Sequence, residues 1–418
     1  SLFQQNLRRK NYGALWNNLF NFFHLRSSAM CVKFSQTYKK ITSSFGVDYF
    51  LPLPLPKMSE KFTLKALYNQ AFVQELANAI ATVSKGFDTS DFEQRIFDTD
   101  WNECELKQRM RHITQVMQAT IPGNYRAQIK VLYKVAPKIK DGLLGLIFPD
   151  FVEQYGLEDY ATSVKALAHF TPYSSSEFAV RPFIERYPKM MHQMLAWTDH
   201  PNEHIRRLAS EGCRPRLPWG MALKAFKKDP APILPILEKL KADSALYVRK
   251  SVANNLNDII KDNPEIALDT AERWLKTEHP HTQWIVKHGV RTLLKRGDKR
   301  ALALFGLADA TGLEISDLSF TKNTLTIGEH FHFSFQLQVD KPRVVRIEYG
   351  VYFVKSNGSQ SRKIFQVSEK EFLAGKHAFT RKQNFHNLTT RKHYAGTHRL
   401  VIIVNGEEKL GLDFELTS

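Results

Sequence analysis

Two short stretches of this 418-residue chain gather the side chains best suited to chemistry. One is Ser174-x-x-Glu177; the other holds Arg207 and Glu211 and ends at Trp219. A fixed carboxylate can stabilise a developing positive charge or orient a water molecule, and an indole face attracts cations. Each residue also has a plainer reading. Ser174-x-x-Glu177 has the spacing of a helix capping box. Arg207 and Glu211 are spaced as an i, i+4 surface ion pair, and Trp219, after a Pro-bounded turn, fits a core position. Both readings of each stand open on the residues alone. His200 and His204 are spaced like helical metal ligands, yet Pro201 sets His200 at a cap and no accompanying ligand follows. His330 and His332 share one strand face and lack a third ligand, so no metal site is expected.

These residues lie in a region, about Phe62 to Phe305, that reads as helices joined by turns such as Ile121-Pro122-Gly123 and Lys228-Asp229-Pro230. One pattern recurs from His200, from Asp243 and, more loosely, from His279. Its marker residues Ile205, Val248 and Trp284 are spaced by 43 and 36 residues, the spacing of a two-helix HEAT-type repeat. In each copy a turn or cap residue opens a helix, with Pro201 and Pro280 in the first turn. The third helix separates its faces: Val286, Val290, Leu293 and Leu294 form an apolar stripe, and Lys287, Arg291 and Lys295 a basic one. Val248, Val252, Leu256 and Ile260 repeat the apolar spacing beside Arg249 and Lys250. A basic stripe on one helix reads as a solvated face. Repeated at matching positions in a stack, such stripes line one concave surface suited to duplex phosphates, with Arg206, Arg249, Lys287, Arg291 and Lys295 as contacts.

After Gly306 the period changes. Phe331, Phe333, Phe335, Leu337 and Val339 alternate with polar residues as in a half-buried strand. Similar runs at 344–353, 363–367, 398–404 and 410–416 predict an immunoglobulin-like β-sandwich. The expected organisation is a basic extension over 1–57, a HEAT-like helical domain over 58–306 and the sandwich over 311–418. The extension has eight Lys and Arg against Asp48 alone and ends in a Leu-Pro run. It reads as a leader or, preferentially, as in-frame upstream sequence before a start at Met58. The net charge of +17 favours polyanionic partners even without that extension. Cys31, Cys104 and Cys213 are far apart, which suggests neither disulfides nor a thiolate metal site and fits a reducing compartment. The aromatic run near Leu19 is interrupted by Asn21 and His24, so a soluble protein is expected.

Three segments carry a more specific signal: residues 174–184 (Ser-Ser-Ser-Glu-Phe-Ala-Val-Arg-Pro-Phe-Ile), residues 206–219 (Arg-Arg-Leu-Ala-Ser-Glu-Gly-Cys-Arg-Pro-Arg-Leu-Pro-Trp) and residues 283–297 (Gln-Trp-Ile-Val-Lys-His-Gly-Val-Arg-Thr-Leu-Leu-Lys-Arg-Gly). They closely resemble the DNA alkylation repair glycosylases of the AlkC/AlkD superfamily, better on the AlkC branch, whose members add an immunoglobulin-like domain. The resemblance runs from about Met58 to the C-terminus. It implies a HEAT-like fold and a monofunctional glycosylase acting on cationic methylated bases such as 3-methyladenine in double-stranded DNA. No metal or organic cofactor and no base flipping are implied. The protein is expected as a cytoplasmic, nucleoid-associated monomer. Carried over residue by residue, the resemblance makes Glu177 the first and Glu211 the second catalytic carboxylate, with Arg207 and Trp219 at the lesion. Lys363, Lys382, Arg391 and Lys392 of the sandwich would then reach the minor groove or serve a protein partner. The competing expectation is a non-catalytic HEAT-repeat scaffold for nucleic acid or protein.

Overall fold

The structure, a computed structural model, describes residues 63–387 and 392–418. The expectations for residues 1–57 and for Arg391 lie outside these. The chain divides into two compact units, one ending at Val290 and the other running from Arg291 to Ser418.

The first unit is helical. It begins with α1 (Gln70–Ala81), α2 (Thr89–Ile96), α3 (Leu106–Thr120), α4 (Tyr125–Val135), α5 (Ile147–Tyr155) and α6 (Tyr160–Phe170). It continues with α7 (Val180–Arg186), α8 (Lys189–Trp197), α9 (Glu203–Gly212), α10 (Lys224–Lys228) and α11 (Leu234–Leu240), and ends with α12 (Leu246–Ile259), α13 (Pro264–Leu275) and α14 (Pro280–Gly289). Asn69, Asp88, Asn124, Asp159 and Asn202 each accept a first-turn backbone N–H, which satisfies donors a helix cannot satisfy itself. The pairs α8–α9, α11–α12 and α13–α14 pack as hairpins, and the second members stack in the order α9, α12, α14. That is the HEAT-like arrangement the recurring pattern predicts. Val248, Val252, Leu256 and Ile260 are all buried, as their spacing requires.

Two details of the repeat differ from expectation. Pro201 precedes the N-cap Asn202 instead of occupying the first turn of α9, whereas Pro280 does open α14. The third copy is also shifted in register. Ile205, Val248 and Thr282 each lie three residues past an N-cap and are buried, while Trp284 is exposed and stacks on His288 with ring centroids 5.1 Å apart.

The third basic stripe does not lie on one helix. α14 ends at Gly289, and a new helix, α15 (Arg291–Arg296), starts in the second unit, followed by α16 (Lys299–Ala303). Val290 leaves helical geometry with ψ near 5°. A Cβ at position 289 would stand 2.7 Å from Leu256 Cδ2, so close packing on α12 requires glycine at this poor helix former's site.

Among the described residues, the rest of the second unit comprises eight strands: β1 (Leu313–Phe320), β2 (Thr324–Thr326), β3 (His330–Val339), β4 (Arg343–Val354), β5 (Gln360–Phe372), β6 (Gly375–Asn384), β7 (Gly396–Val404) and β8 (Glu407–Thr417). They form two sheets, ordered β1-β3-β6 and β2-β8-β7-β4-β5, antiparallel throughout except for β2 with β8. Phe331, Phe333, Phe335, Leu337 and Val339 line the core together with Ile347, Val351, Leu400 and Ile402. β1, β2 and β6 lie outside the five alternating runs seen in the sequence. β6 is mostly exposed, so hydrophobic alternation does not mark it. Asn405 and Gly406, at φ 49° and 81°, make the tight turn between β7 and β8 that an Asn-Gly pair favours.

Candidate functional site

Glu177 lies in the turn between α6 and α7, and the serines around it hold that turn. Ser174 Oγ donates to Gly142 O at 2.7 Å and Ser176 Oγ to Leu167 O at 2.8 Å. α7 starts only at Val180, with Ala179 at its cap, so the capping-box reading of Ser174-x-x-Glu177 is replaced by a different arrangement. Ser175 Oγ donates to Glu177 Oε2 at 2.5 Å, and Arg207 Nη1 donates to the same oxygen. Every hydrogen bond recorded to this carboxylate among the described residues goes to Oε2.

Arg207 and Glu211 sit one turn apart on α9, but not on a surface: they are 4% and 2% exposed, and Glu177 is 6% exposed. They belong to a buried ladder of alternating charge. From Glu177 it passes to Arg207, then to Glu211 at 3.3 Å, to Arg214 at 2.6 Å, to Asp258 at 2.8 Å and to Lys261 at 2.9 Å. Each interior charge has an opposite neighbour, the condition under which burial of ions is tolerable. Burial works against the Arg207 cation, yet Glu177, Tyr247 and Glu211 hold its pKa above the ordinary value, and its guanidinium lies 5.0 Å from the Tyr247 ring centroid. Cys213, beside this ladder, has its thiol pushed up to about 12 by burial, so it stays protonated and is no nucleophile at neutral pH.

Trp219 occupies neither a core position nor relaxed backbone. It is 56% exposed and has φ 64°, a left-handed conformation rare for a bulky side chain. Its carbonyl accepts from Lys107 Nζ at 2.5 Å. Trp219 and Met221 line one side of a cleft of about 560 Å³ whose other walls include Lys107, Arg111, Asp150, Glu153, Ser175 and Phe178. Ser175, two residues before Glu177, and Phe178, the residue after it, line this cleft, so the carboxylate turn and the tryptophan loop border the same opening.

Sequence reasoning missed the charged floor of this cleft. Arg111 Nη2 donates to Asp150 at 2.8 Å and to Glu153 at 3.2 Å, and Thr114 Oγ1 donates to Asp150 at 2.6 Å. Burial, then the Asp150 charge, raises the Glu153 carboxyl above its usual range, against the pull of Arg111. The available signal was Lys107 and Arg111 one turn apart on α3, matched by Asp150 and Glu153 one turn apart on α5.

The basic residues are distributed unevenly. Arg206 holds Asp243 with two bonds of 2.7 and 3.0 Å and donates Nη1 to the carbonyls of His200 and Pro201. Arg249, one repeat later, donates to the carbonyls of Asp243 and Ser244 at 2.8 and 2.7 Å. Both arginines therefore reach back five and six residues to close the loop before their own helix, a structural reason for their recurrence. Lys287 is half-buried on α14; Arg291, half-buried, and Lys295, exposed, belong to the second unit. Lys363 and Lys382 lie on β5 and β6 and Lys392 precedes β7. His200 Nδ1 accepts from the Asn202 backbone N–H at 3.0 Å, and His279 does the same for His281 at 3.2 Å. Among the described residues no three His, Cys, Asp or Glu converge as a metal site, and no helix is long and apolar enough to cross a membrane.

A HEAT-like stack with a buried carboxylate ladder beside an exposed tryptophan, followed by an immunoglobulin-like sandwich, defines a two-part class of protein. Residues 314–418 match the family described as the C-terminal Ig-like domain of the uncharacterised protein YhaZ. The chain is 49% identical over 355 residues to the uncharacterized protein YhaZ of Bacillus subtilis, covering 84% of this chain and 99% of that one. Among solved structures it is similar to the Pseudomonas fluorescens alkylpurine DNA glycosylase AlkC bound to DNA containing an abasic site analog, at 39% identity and a TM-score of 0.82, covering 85% of this chain and 99% of that chain. The chain belongs to the AlkC-like branch of the AlkC/AlkD superfamily.

Proposed function

We propose that this protein is a monofunctional DNA glycosylase that hydrolyses the N-glycosidic bond of cationic alkylated bases, 3-methyladenine among them, in double-stranded DNA. The observation that carries this reading is the Glu177 carboxylate, anchored through Oε2 by Ser175 and Arg207 in a turn whose Ser175 and Phe178 line the same cleft as an exposed tryptophan. Similarity along nearly the whole length of an alkylpurine DNA glycosylase supports it.

A base methylated at a ring nitrogen already carries a positive charge, so it departs without prior protonation. The C1′–N bond breaks with its electron pair going to the base, and the sugar acquires oxocarbenium character. Glu177 stabilises that cation and orients the water that adds at C1′, taking up the proton the water releases. Glu211 is the second carboxylate, held by Arg207 and Arg214. The Trp219 ring offers its face to the cationic lesion. This chemistry needs neither metal nor organic cofactor and no closed base pocket, so the base can remain in the stack. Residues 58–306 would form the catalytic and DNA-binding domain, with Lys287, Arg291 and Lys295 at phosphates and Arg206 and Arg249 bracing the loops before their helices. Residues 311–418 would form the accessory sandwich, in a cytoplasmic, nucleoid-associated monomer.

The test is release of free methylated base from alkylated DNA by the purified protein without added metal, against undamaged DNA. Release from alkylated DNA alone is expected. No release with DNA binding retained would make the protein a non-catalytic scaffold.

A further inference from the structure

A turn that needs only to change direction at φ 64° would carry Gly or Asn. This chain has Gly at position 220 and places Trp at 219, where the strained backbone and the exposure coincide. Left-handed geometry is strained for a non-glycine residue, so surrounding contacts must hold it.

Two cations from two other helices do so. Lys107 of α3 donates to Trp219 O at 2.5 Å, and its ammonium lies 4.9 Å from the ring centroid of Phe178, the residue after Glu177. Arg181 of α7 donates Nε to Met221 O at 2.5 Å and Nη1 to Gly212 O at 2.8 Å, the residue after Glu211. The Arg181 side chain is fully buried, binds carbonyls where most buried arginines bind carboxylates, and leaves Nη2 without a hydrogen-bond partner. Burial lowers its pKa to about 10, so it remains charged at neutral pH. Each cation thus joins one end of the Trp219-Gly220-Met221 turn to a segment that carries one of the two candidate carboxylates.

We propose that Lys107 and Arg181 are positioning residues that clamp this turn and set the placement of the exposed indole relative to Glu177 and Glu211. The inference rests on the glycosylase reading above. Both cations hold the backbone through its carbonyls, and Trp219 in the turn they hold is 56% exposed, which is how a site is organised before its substrate arrives.

Lys107 is the residue to change, because it is exposed and its loss should leave the fold intact, whereas Arg181 is buried. Full-length protein labelled with 5-fluorotryptophan gives a Trp219 resonance identified by its disappearance in Trp219→Phe. In Lys107→Met that resonance is expected to broaden and move toward the position of free fluorotryptophan. Single-turnover excision of 3-methyladenine should fall by about 10- to 100-fold, as for an ångström-scale misplacement, with affinity for undamaged duplex unchanged. Lys107→Arg should restore both. An unchanged Trp219 resonance in Lys107→Met overturns the clamp. A wild-type protein that excises no base overturns the glycosylase reading instead, and the resonance still decides the clamp.

Discussion

Arg207 Nη1 and Glu177 Oε2 form a hydrogen-bonded ion pair between α9 and the turn before α7, 30 residues apart, with both side chains almost fully buried. The same guanidinium reaches Glu211, so Arg207 separates two carboxylates that would otherwise face each other across a dry interior. Arg207→Met takes the guanidinium from Glu177 and leaves Glu211 to Arg214. It should destabilise the protein by about 3–5 kcal/mol in urea unfolding, and adding Glu177→Gln should recover part of that loss. A cost below about 1 kcal/mol would mean that the pair is wetter than its burial indicates.

Glu153 offers a pH-dependent test. Its carboxyl pKa is raised above the ordinary 4.5 by burial and by Asp150. Its contribution to stability is therefore fully present below the ordinary value and is lost as pH rises through the raised one. Glu153→Gln removes that loss. Its Tm should exceed the wild-type value at pH 7, and the difference should vanish on acidification to about pH 4. A variant less stable than wild type at pH 7 would show that the bond to Arg111 outweighs burial.

Gly212 closes α9 against α7 with no room for a methyl group. A Cβ there would meet Val180 Cγ1 at 2.6 Å and Met194 Cε at 3.0 Å. Gly212→Ala should cost about 1–3 kcal/mol by overpacking, despite the better helix propensity of alanine. Because Gly212 O is a partner of Arg181, lesion excision should slow as well. A stabilised variant would contradict this packing.

Lys287 and Lys295 discriminate DNA contacts from structural charges. If both touch phosphates, the double Ala variant should weaken binding to every duplex sequence and reduce the slope of log K against log salt by about 2. Arg206→Ala should mainly lower stability, since its donors already serve Asp243 and two carbonyls. An unchanged slope in the lysine variant would remove both lysines from the interface.

Legibility of the sequence followed the physics of each element. Period in apolar residues exposed the helical stack and β3, because burial selects for it over many positions. It failed for β6, which buries little, and for the break at Gly289, where a single close approach to Leu256 decides the outcome. The recurring Arg206 and Arg249 looked like a ligand-facing stripe and instead close their own loops, since charge in a sequence does not reveal its partner. Ser174-x-x-Glu177 has the right spacing for a cap, but long-range bonds to Gly142 and Arg207 win over the local one. The Trp219 turn and the charged floor of the cleft depend on residues distant in sequence, 112 positions for Lys107 and Trp219 and 39 for Arg111 and Asp150.

The central claim is that Glu177 is the carboxylate that stabilises the departing nucleotide. Single-turnover excision of 3-methyladenine from a duplex by Glu177→Gln, measured beside its affinity for the same duplex, tests it most directly. The amide keeps the shape and can still accept from Ser175 and Arg207, so binding within a few-fold of wild type is expected. The excision rate should fall by about 100-fold or more, the scale of losing one electrostatic stabiliser. Wild-type excision by Glu177→Gln would contradict the account and transfer the role to another carboxylate.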